Sequence, residues 1–174
     1  GVRRSATVAH GAGEGGIDPL TSGQAITEGA LLGLYRFQVY KSRRDDEAHE
    51  GQIEEIQIVE QDVNKIDLLQ QGVARGKVLA KATIFARDMN NEPANVMNPS
   101  EMVERARRVS EETGLDLNVL DKPEMIELGM GALLAVAAGS NQPPKLIVLT
   151  YDGDPDNEGN NIALCGKGIT FDSG

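Results

Sequence analysis

The pattern of apolar and polar positions first indicates a helix that follows Thr21 and Ser22. Either residue can cap a helix, because its side-chain oxygen accepts a hydrogen bond from a backbone N–H of the first turn. Small and apolar residues then recur three or four positions apart, at Ile26, Ala30, Gly33, Leu34 and Phe37. The pattern therefore predicts an amphipathic helix that runs to about Lys41.

The residues on either side of this helix have no helical period. Residues 1–20 are rich in glycine and are predicted to form a loop, with His10 as a solvated side chain. The charged stretch 42–51, which contains His49, is predicted to be an exposed turn. In residues 53–60, isoleucine and valine partly alternate with glutamate and glutamine, which predicts a short strand.

A longer helix is predicted from Asp67 to near Asn90. Its shared face consists of Leu69, Val73, Gly76, Ala80 and Ile84. Gly72 and Gly76 weaken a helix locally, or else allow close packing against another element. Pro93 limits the helix, because the residue before a proline is biased away from helical backbone angles.

The next helix has the clearest start in the sequence. Asn98 can cap it, Pro99 fits the first helical position, and Glu101 can reach back to the cap. The buried stripe is predicted to comprise Val103, Ala106 and Val109. Gly114 is expected to end this helix.

Short apolar runs follow in the rest of the sequence. Residues 115–120 are predicted to form a strand and residues 121–129 a short helix. Three more runs are predicted to be strands, namely 132–138, 146–149 and 162–165. Strands this uniformly apolar are expected where helices cover both faces of a sheet. Residues 90–174 thus alternate as in an α/β fold, and residues 1–60 form a separate unit.

Composition and charge narrow the class of protein. Of 174 residues, 40% are hydrophobic, which is sufficient for a packed core. The net charge of −10 disfavours nucleic acid as a partner, because its phosphates would be repelled. The single cysteine, Cys165, cannot form an internal disulfide, which is typical of a reducing compartment such as the cytoplasm. No apolar run has membrane-spanning length and no signal-peptide pattern opens the sequence, so no membrane partner is expected.

The residues with the strongest chemical signal lie in the segment 166–174. Lys167 and Asp172 stand there among glycines, just after the predicted strand 162–165. Ligand sites in open α/β sheets lie beyond the carboxyl ends of the strands. We therefore expect the two side chains to converge on one pocket.

Three other interpretations of this segment can be weighed from the residues alone. A phosphate-binding loop is disfavoured, because Gly168 stands where a serine or threonine must follow the lysine, and Asn161 where a glycine is needed. A nucleophilic Ser173 is disfavoured, because the Gly-x-Ser-x-Gly pattern is absent and no histidine follows. A tight turn held by a Lys167–Asp172 ion pair stays open.

A cluster of acidic residues precedes this segment. Asp152, Asp154 and Asp156 cluster in the sequence, but they lack the spacing and the terminal glutamate of a calcium-binding loop. They are predicted to form an exposed acidic turn.

The segment Gly-Lys-Gly-Ile-Thr-Phe-Asp-Ser-Gly at 166–174 closely resembles the metal-site motif of the leucyl (cytosol) aminopeptidase family. Other stretches resemble that family in the same order along the chain: 28–37, 87–95, 129–140 and 143–151. The resemblance spans most of residues 24–174.

This resemblance implies a metal-dependent aminopeptidase with a leucine-type preference, which acts on peptides and assembles as a hexamer. In that family the lysine of the motif is a terminal ligand of one of two divalent metal ions, zinc or manganese, and the aspartate bridges both. Carried over, these ligands are Lys167 and Asp172. A lysine can ligate only as the neutral amine, so the metal must displace its proton.

The resemblance also implies the domain organisation. Residues 1–60 match the carboxyl-terminal part of an amino-terminal domain, 61–90 a connecting helix, and 91–174 the start of a mixed-sheet catalytic domain. The remaining family ligands, two aspartates and a glutamate, and the catalytic lysine and arginine lie beyond Gly174. We therefore expect this chain to be incomplete and inactive by itself. The alternative is a non-enzymatic binding or assembly module derived from the same fold.

Overall fold

The chain folds as a mixture of helices with small parallel and antiparallel sheets, which confirms the predicted α/β class. A computed structural model describes residues 2–41, 53–157, 159 and 161–170. The chain divides into two compact units, Gly1–Asn91 and Glu92–Gly174. The predicted turn at 42–51, with His49, lies outside the described residues.

Among its described residues, the first unit contains two strands and two helices, which are β1 (Arg4–Val8), α1 (Pro19–Leu34), β2 (Glu55–Val59) and α2 (Val63–Asn91). β1 and β2 pair in parallel, from Arg4 opposite Glu55 to Val8 opposite Val59. β2 confirms the predicted strand, whereas the prediction of a loop throughout residues 1–20 was wrong at β1. Because β1 is short, largely exposed and without regular alternation, it depends on its pairing with β2, which a local pattern cannot reveal.

Helix α1 begins and ends earlier than predicted. Asp18, not Thr21 or Ser22, is the cap, and its carboxylate accepts hydrogen bonds from the Thr21 backbone N at 2.9 Å and the Thr21 Oγ1 at 2.7 Å. These bonds lower the pKa of Asp18, with the side-chain bond from Thr21 as the largest cause. The helix ends at Leu34, well before Lys41.

Tyr35 connects the end of α1 to the end of α2. Its backbone is extended, and its hydroxyl donates to Asp88 Oδ1 at 2.6 Å and accepts from Asn91 Nδ2 at 3.0 Å. The Arg87 guanidinium lies 5.7 Å from the centre of the ring. Desolvation, followed by the hydrogen bond to the Asp88 carboxylate, raises the pKa of the Tyr35 phenol.

Helices α1 and α2 pack backbone against backbone through three glycines. A Cβ added to Gly23 would lie 2.5 Å from the Leu69 carbonyl oxygen, and one added to Gly76 would lie 2.7 Å from the Gln24 carbonyl oxygen. Gly72 makes a still closer approach. Of the two alternatives for Gly72 and Gly76, close packing against another element is the one that the structure shows.

The limits of α2 are partly as predicted. The helix ends at Asn91, close to the expected residue, but it begins at Val63 rather than at a cap on Asp67. Asp62 provides an earlier start, because its Oδ1 accepts a hydrogen bond from the backbone N of Asn64 at 3.0 Å.

The described part of the second unit contains three helices and two strands, which are α3 (Pro99–Thr113), β3 (Asp116–Leu120), α4 (Lys122–Glu127), α5 (Gly131–Ala137) and β4 (Leu146–Thr150). β3 and β4 pair antiparallel, and α3 contacts both of them. The predicted cap and end of α3 are confirmed, whereas the Glu101 carboxylate accepts a hydrogen bond from Arg105 Nε instead of reaching back to the cap. Asn98 Oδ1 accepts from the Glu101 backbone N at 3.0 Å, and Gly114 ends the helix with a φ of 75°.

The prediction of a strand at 132–138 was wrong, because these residues form most of α5. An apolar run does not distinguish a strand from a short helix, and this run is dominated by alanine and leucine, which favour a helix. The prediction of a strand at 162–165 also differs from the structure, where these residues form no strand. Ile162 and Leu164 are 91% and 96% exposed, and no described strand pairs with them.

Candidate metal centre

Lys167 lies in a segment of irregular backbone. Residues 161–170 form neither helix nor strand, and all are exposed except the half-buried Thr170. Within the described part of the chain, the Lys167 amine has no hydrogen-bond or ion-pair partner. The Lys167 side chain is therefore exposed and is not held by any other described residue.

Asp172, the other predicted ligand, lies outside the described residues. The expected convergence of Lys167 and Asp172 on one pocket stays a prediction for that reason. The alternative, an ion pair between the same two side chains, stays open as well.

The residue after Lys167 contacts helix α3. A Cβ added to Gly168 would lie 3.2 Å from both Sδ and Cε of Met102, a half-buried residue in the first turn of that helix. The sequence did not indicate this contact, because the two residues are far apart in the chain. It places the Lys167 segment beside the amino-terminal end of α3.

Helix α3 is itself fixed at this end. Arg105 Nε lies 2.7 Å from Glu101 Oε1, and Arg105 Nη2 lies 3.5 Å from Glu92 Oε1. Only 22% of the Arg105 side chain and 8% of the Glu92 side chain are exposed, so solvent weakens this network less than a surface ion pair. Together with the Asn98 cap, the network holds the turn that carries Met102.

The donor types in the segment suit divalent metal ions. An amine nitrogen and a carboxylate are ligands of the kind that zinc accepts, and carboxylates also suit manganese. Among the described residues, no group of three or more histidine, cysteine, aspartate or glutamate side chains is arranged to hold a metal.

Among the described residues, the other sequence features form no second group of candidate metal ligands. Asp152, Asp154 and Asp156 are exposed in a turn where Asn157 bonds to Asp154, which confirms the predicted acidic turn. His10 is exposed as predicted, and its Nε2 lies 3.0 Å from Thr7 Oγ1.

Comparisons with known proteins identify the family. The profile described as the cytosol aminopeptidase family, catalytic domain, matches residues 84–174, which include both predicted ligands. The chain belongs to the cytosol aminopeptidase family. A relative from Alkaliphilus metalliredigens, named a probable cytosol aminopeptidase, is 47% identical over 152 residues, which cover 87% of this chain and 30% of the relative. One from Geotalea uraniireducens with the same name is 37% identical over 175 residues, which cover 100% of this chain and 34% of the relative.

A solved structure agrees with this assignment. The bottromycin maturation enzyme BotP in complex with Mn superposes with a TM-score of 0.70 at 32% sequence identity, over 86% of this chain and 30% of that one. The chain thus spans about a third or less of the length of the relatives it matches. No helix among the described residues combines the length and apolar character required to cross a membrane.

Proposed function

We propose that the protein, at the length of its relatives, is a metal-dependent aminopeptidase that removes amino-terminal residues from peptides, with a leucine-type preference. The observation that carries this proposal is the segment 166–174, with Lys167 and Asp172, in a chain of the cytosol aminopeptidase family. The manganese complex of BotP supports the metal dependence.

Lys167 would be a terminal ligand of one metal ion and Asp172 would bridge two, either zinc or manganese. A lysine amine can ligate a metal only if the metal displaces its proton, and among the described residues the exposed Lys167 amine has no partner that would hold it elsewhere. The two oxygens of an aspartate allow it to contact two cations at once. A metal pair held by these residues would supply an activated water and would polarise the peptide carbonyl, which is the general chemistry of two-metal aminopeptidases.

The 174-residue chain by itself would not turn over substrate. It supplies two of the five ligands that the family resemblance implies, and two side chains cannot fix the geometry of a metal pair. We therefore propose activity for the whole protein only. The cytoplasmic location and the hexameric assembly implied by the family resemblance are likewise proposed for the whole protein.

The experiment that tests the proposal compares the full-length protein with its Asp172→Ala variant. Metal content by elemental analysis and turnover of leucine amide should both fall in the variant. A variant that keeps its metal and its turnover would refute the assignment of Asp172.

A further inference from the structure

Less space is available for a side chain at Gly168 than at Gly166, two residues earlier. A Cβ added to Gly166 would meet nothing within 4 Å among the described residues, whereas one added to Gly168 would lie 3.2 Å from the Met102 thioether. Gly168 does not have a positive φ, so its backbone conformation is open to other residues. The Met102 thioether therefore leaves little space at position 168, and a methyl group there would require the flexible end of that side chain to shift by a few tenths of an ångström.

The helix turn that carries Met102 is held firmly in place. It lies in the first turn of α3, and its backbone N donates to the Asn98 carbonyl oxygen at 3.0 Å. The neighbouring Glu101 is bonded both to the Asn98 cap and to Arg105. α3 in turn contacts β3 and β4. The thioether thus projects from a helix turn that hydrogen bonds, an ion pair and the sheet all hold in place.

We infer that Met102 is a positioning residue that seats residues 166–170 against α3 and so determines where the Lys167 amine lies. The inference rests on the proposed metal site, because it concerns the placement of one of its ligands. Lys167 is adjacent to Gly168 in the chain, so a displacement at Gly168 moves the Lys167 backbone with it. Residues that orient a metal ligand typically change metal affinity about 10- to 100-fold when they are altered.

A cycle of variants in the full-length protein tests this inference. Zn²⁺ is titrated into protein stripped of metal, and its affinity is measured by calorimetry. Met102→Ala removes the support and should weaken binding at one site by about tenfold or more. Met102→Leu keeps a similar volume and should restore it. Met130→Ala, which alters another half-buried methionine of the same unit, should leave the affinity unchanged.

The decisive comparison is the double variant. Gly168→Ala alone should weaken Zn²⁺ binding, because the new methyl group meets the thioether. Gly168→Ala combined with Met102→Ala should bind more tightly than Gly168→Ala alone, because the methyl group fills the space that Met102 vacates. If the changes in Zn²⁺ binding free energy of the two single variants simply add in the double variant, Met102 does not position the segment through Gly168.

The metal site itself is checked in the same series by Asp172→Ala. If wild-type protein binds Zn²⁺ no better than Asp172→Ala, the proposed function fails. If Asp172→Ala loses binding while the Met102 and Gly168 changes are independent of one another, only the positioning role fails. Unfolding of each metal-free variant in urea separates a loss of fold from a loss of ligand placement, since the affinity effect should exceed any effect on stability.

Discussion

Gly72 of α2 packs directly on the backbone of Leu20 in α1, because a Cβ added to Gly72 would overlap the Leu20 carbonyl oxygen. No side chain fits in that gap, and the obstructing atom is backbone rather than the end of a flexible side chain. Gly72→Ala should therefore force the helices apart and lower the free energy of unfolding by about 3 kcal/mol. Urea denaturation monitored by circular dichroism measures this change.

Gly29→Ala is the matched control for that prediction. Gly29 lies within α1 and does not have a positive φ, and an added Cβ would meet no other part of the described chain within 4 Å. Alanine there should leave stability unchanged or raise it by about 0.5–1 kcal/mol, because alanine favours the helix. If both variants had the same effect, the backbone contact at Gly72 would not be the determinant.

The cap of α1 should make stability depend on pH. The pKa of Asp18 is lowered in the folded chain by its bonds from Thr21, so its contribution is present above the unfolded pKa of about 3.9 and is lost as the pH falls through the folded value. Asp18→Asn keeps a capping oxygen but does not titrate. The stability difference between wild type and Asp18→Asn should therefore shrink as the pH falls below about 4.

Unfolding curves collected between neutral pH and about pH 2.5 check this prediction. A difference that stays constant over that range would show that the Asp18 carboxylate gains nothing from Thr21.

The sequence predicted elements whose signals are local. Asn98 and Pro99 marked the start of α3, Gly114 marked its end, and the apolar run at 146–149 identified β4. Capping side chains and left-handed glycines act within a few residues, so the sequence alone displays them.

Elements that depend on distant partners were missed or misassigned. β1 exists through its pairing with β2. The run 132–138 was predicted to be a strand for a different reason, because its apolar character was given more weight than the helix propensity of its alanines and leucines. For the candidate site, the sequence identified Lys167 through its motif but did not identify Met102. The contact between Met102 and Gly168 spans more than sixty residues, so no local pattern encodes it.

The 174-residue chain should not hydrolyse leucine amide, even with zinc or manganese added. Two of the five ligands cannot hold a metal pair, so we expect turnover no higher than background. The assay uses purified chain, with Asp172→Ala as the control for contaminating peptidase. Turnover that is present in the chain and lost in Asp172→Ala would contradict the expected distribution of ligands.

In the full-length protein, Lys167→Arg separates metal ligation from an ion pair with Asp172. Arginine keeps the positive charge but offers no lone pair to a cation, so it can replace an ion-pair partner but not a ligand. Lys167→Ala should lose activity while retaining one metal better than Asp172→Ala does, because it removes only a terminal ligand.

The most direct test is the metal content of full-length Lys167→Arg by elemental analysis, measured together with its turnover of a leucine substrate. We expect fewer metal ions per chain than in wild type and a severe loss of turnover. A full metal complement with near-normal turnover would show that Lys167 is not a ligand, and would contradict the metal centre on which the proposed function depends.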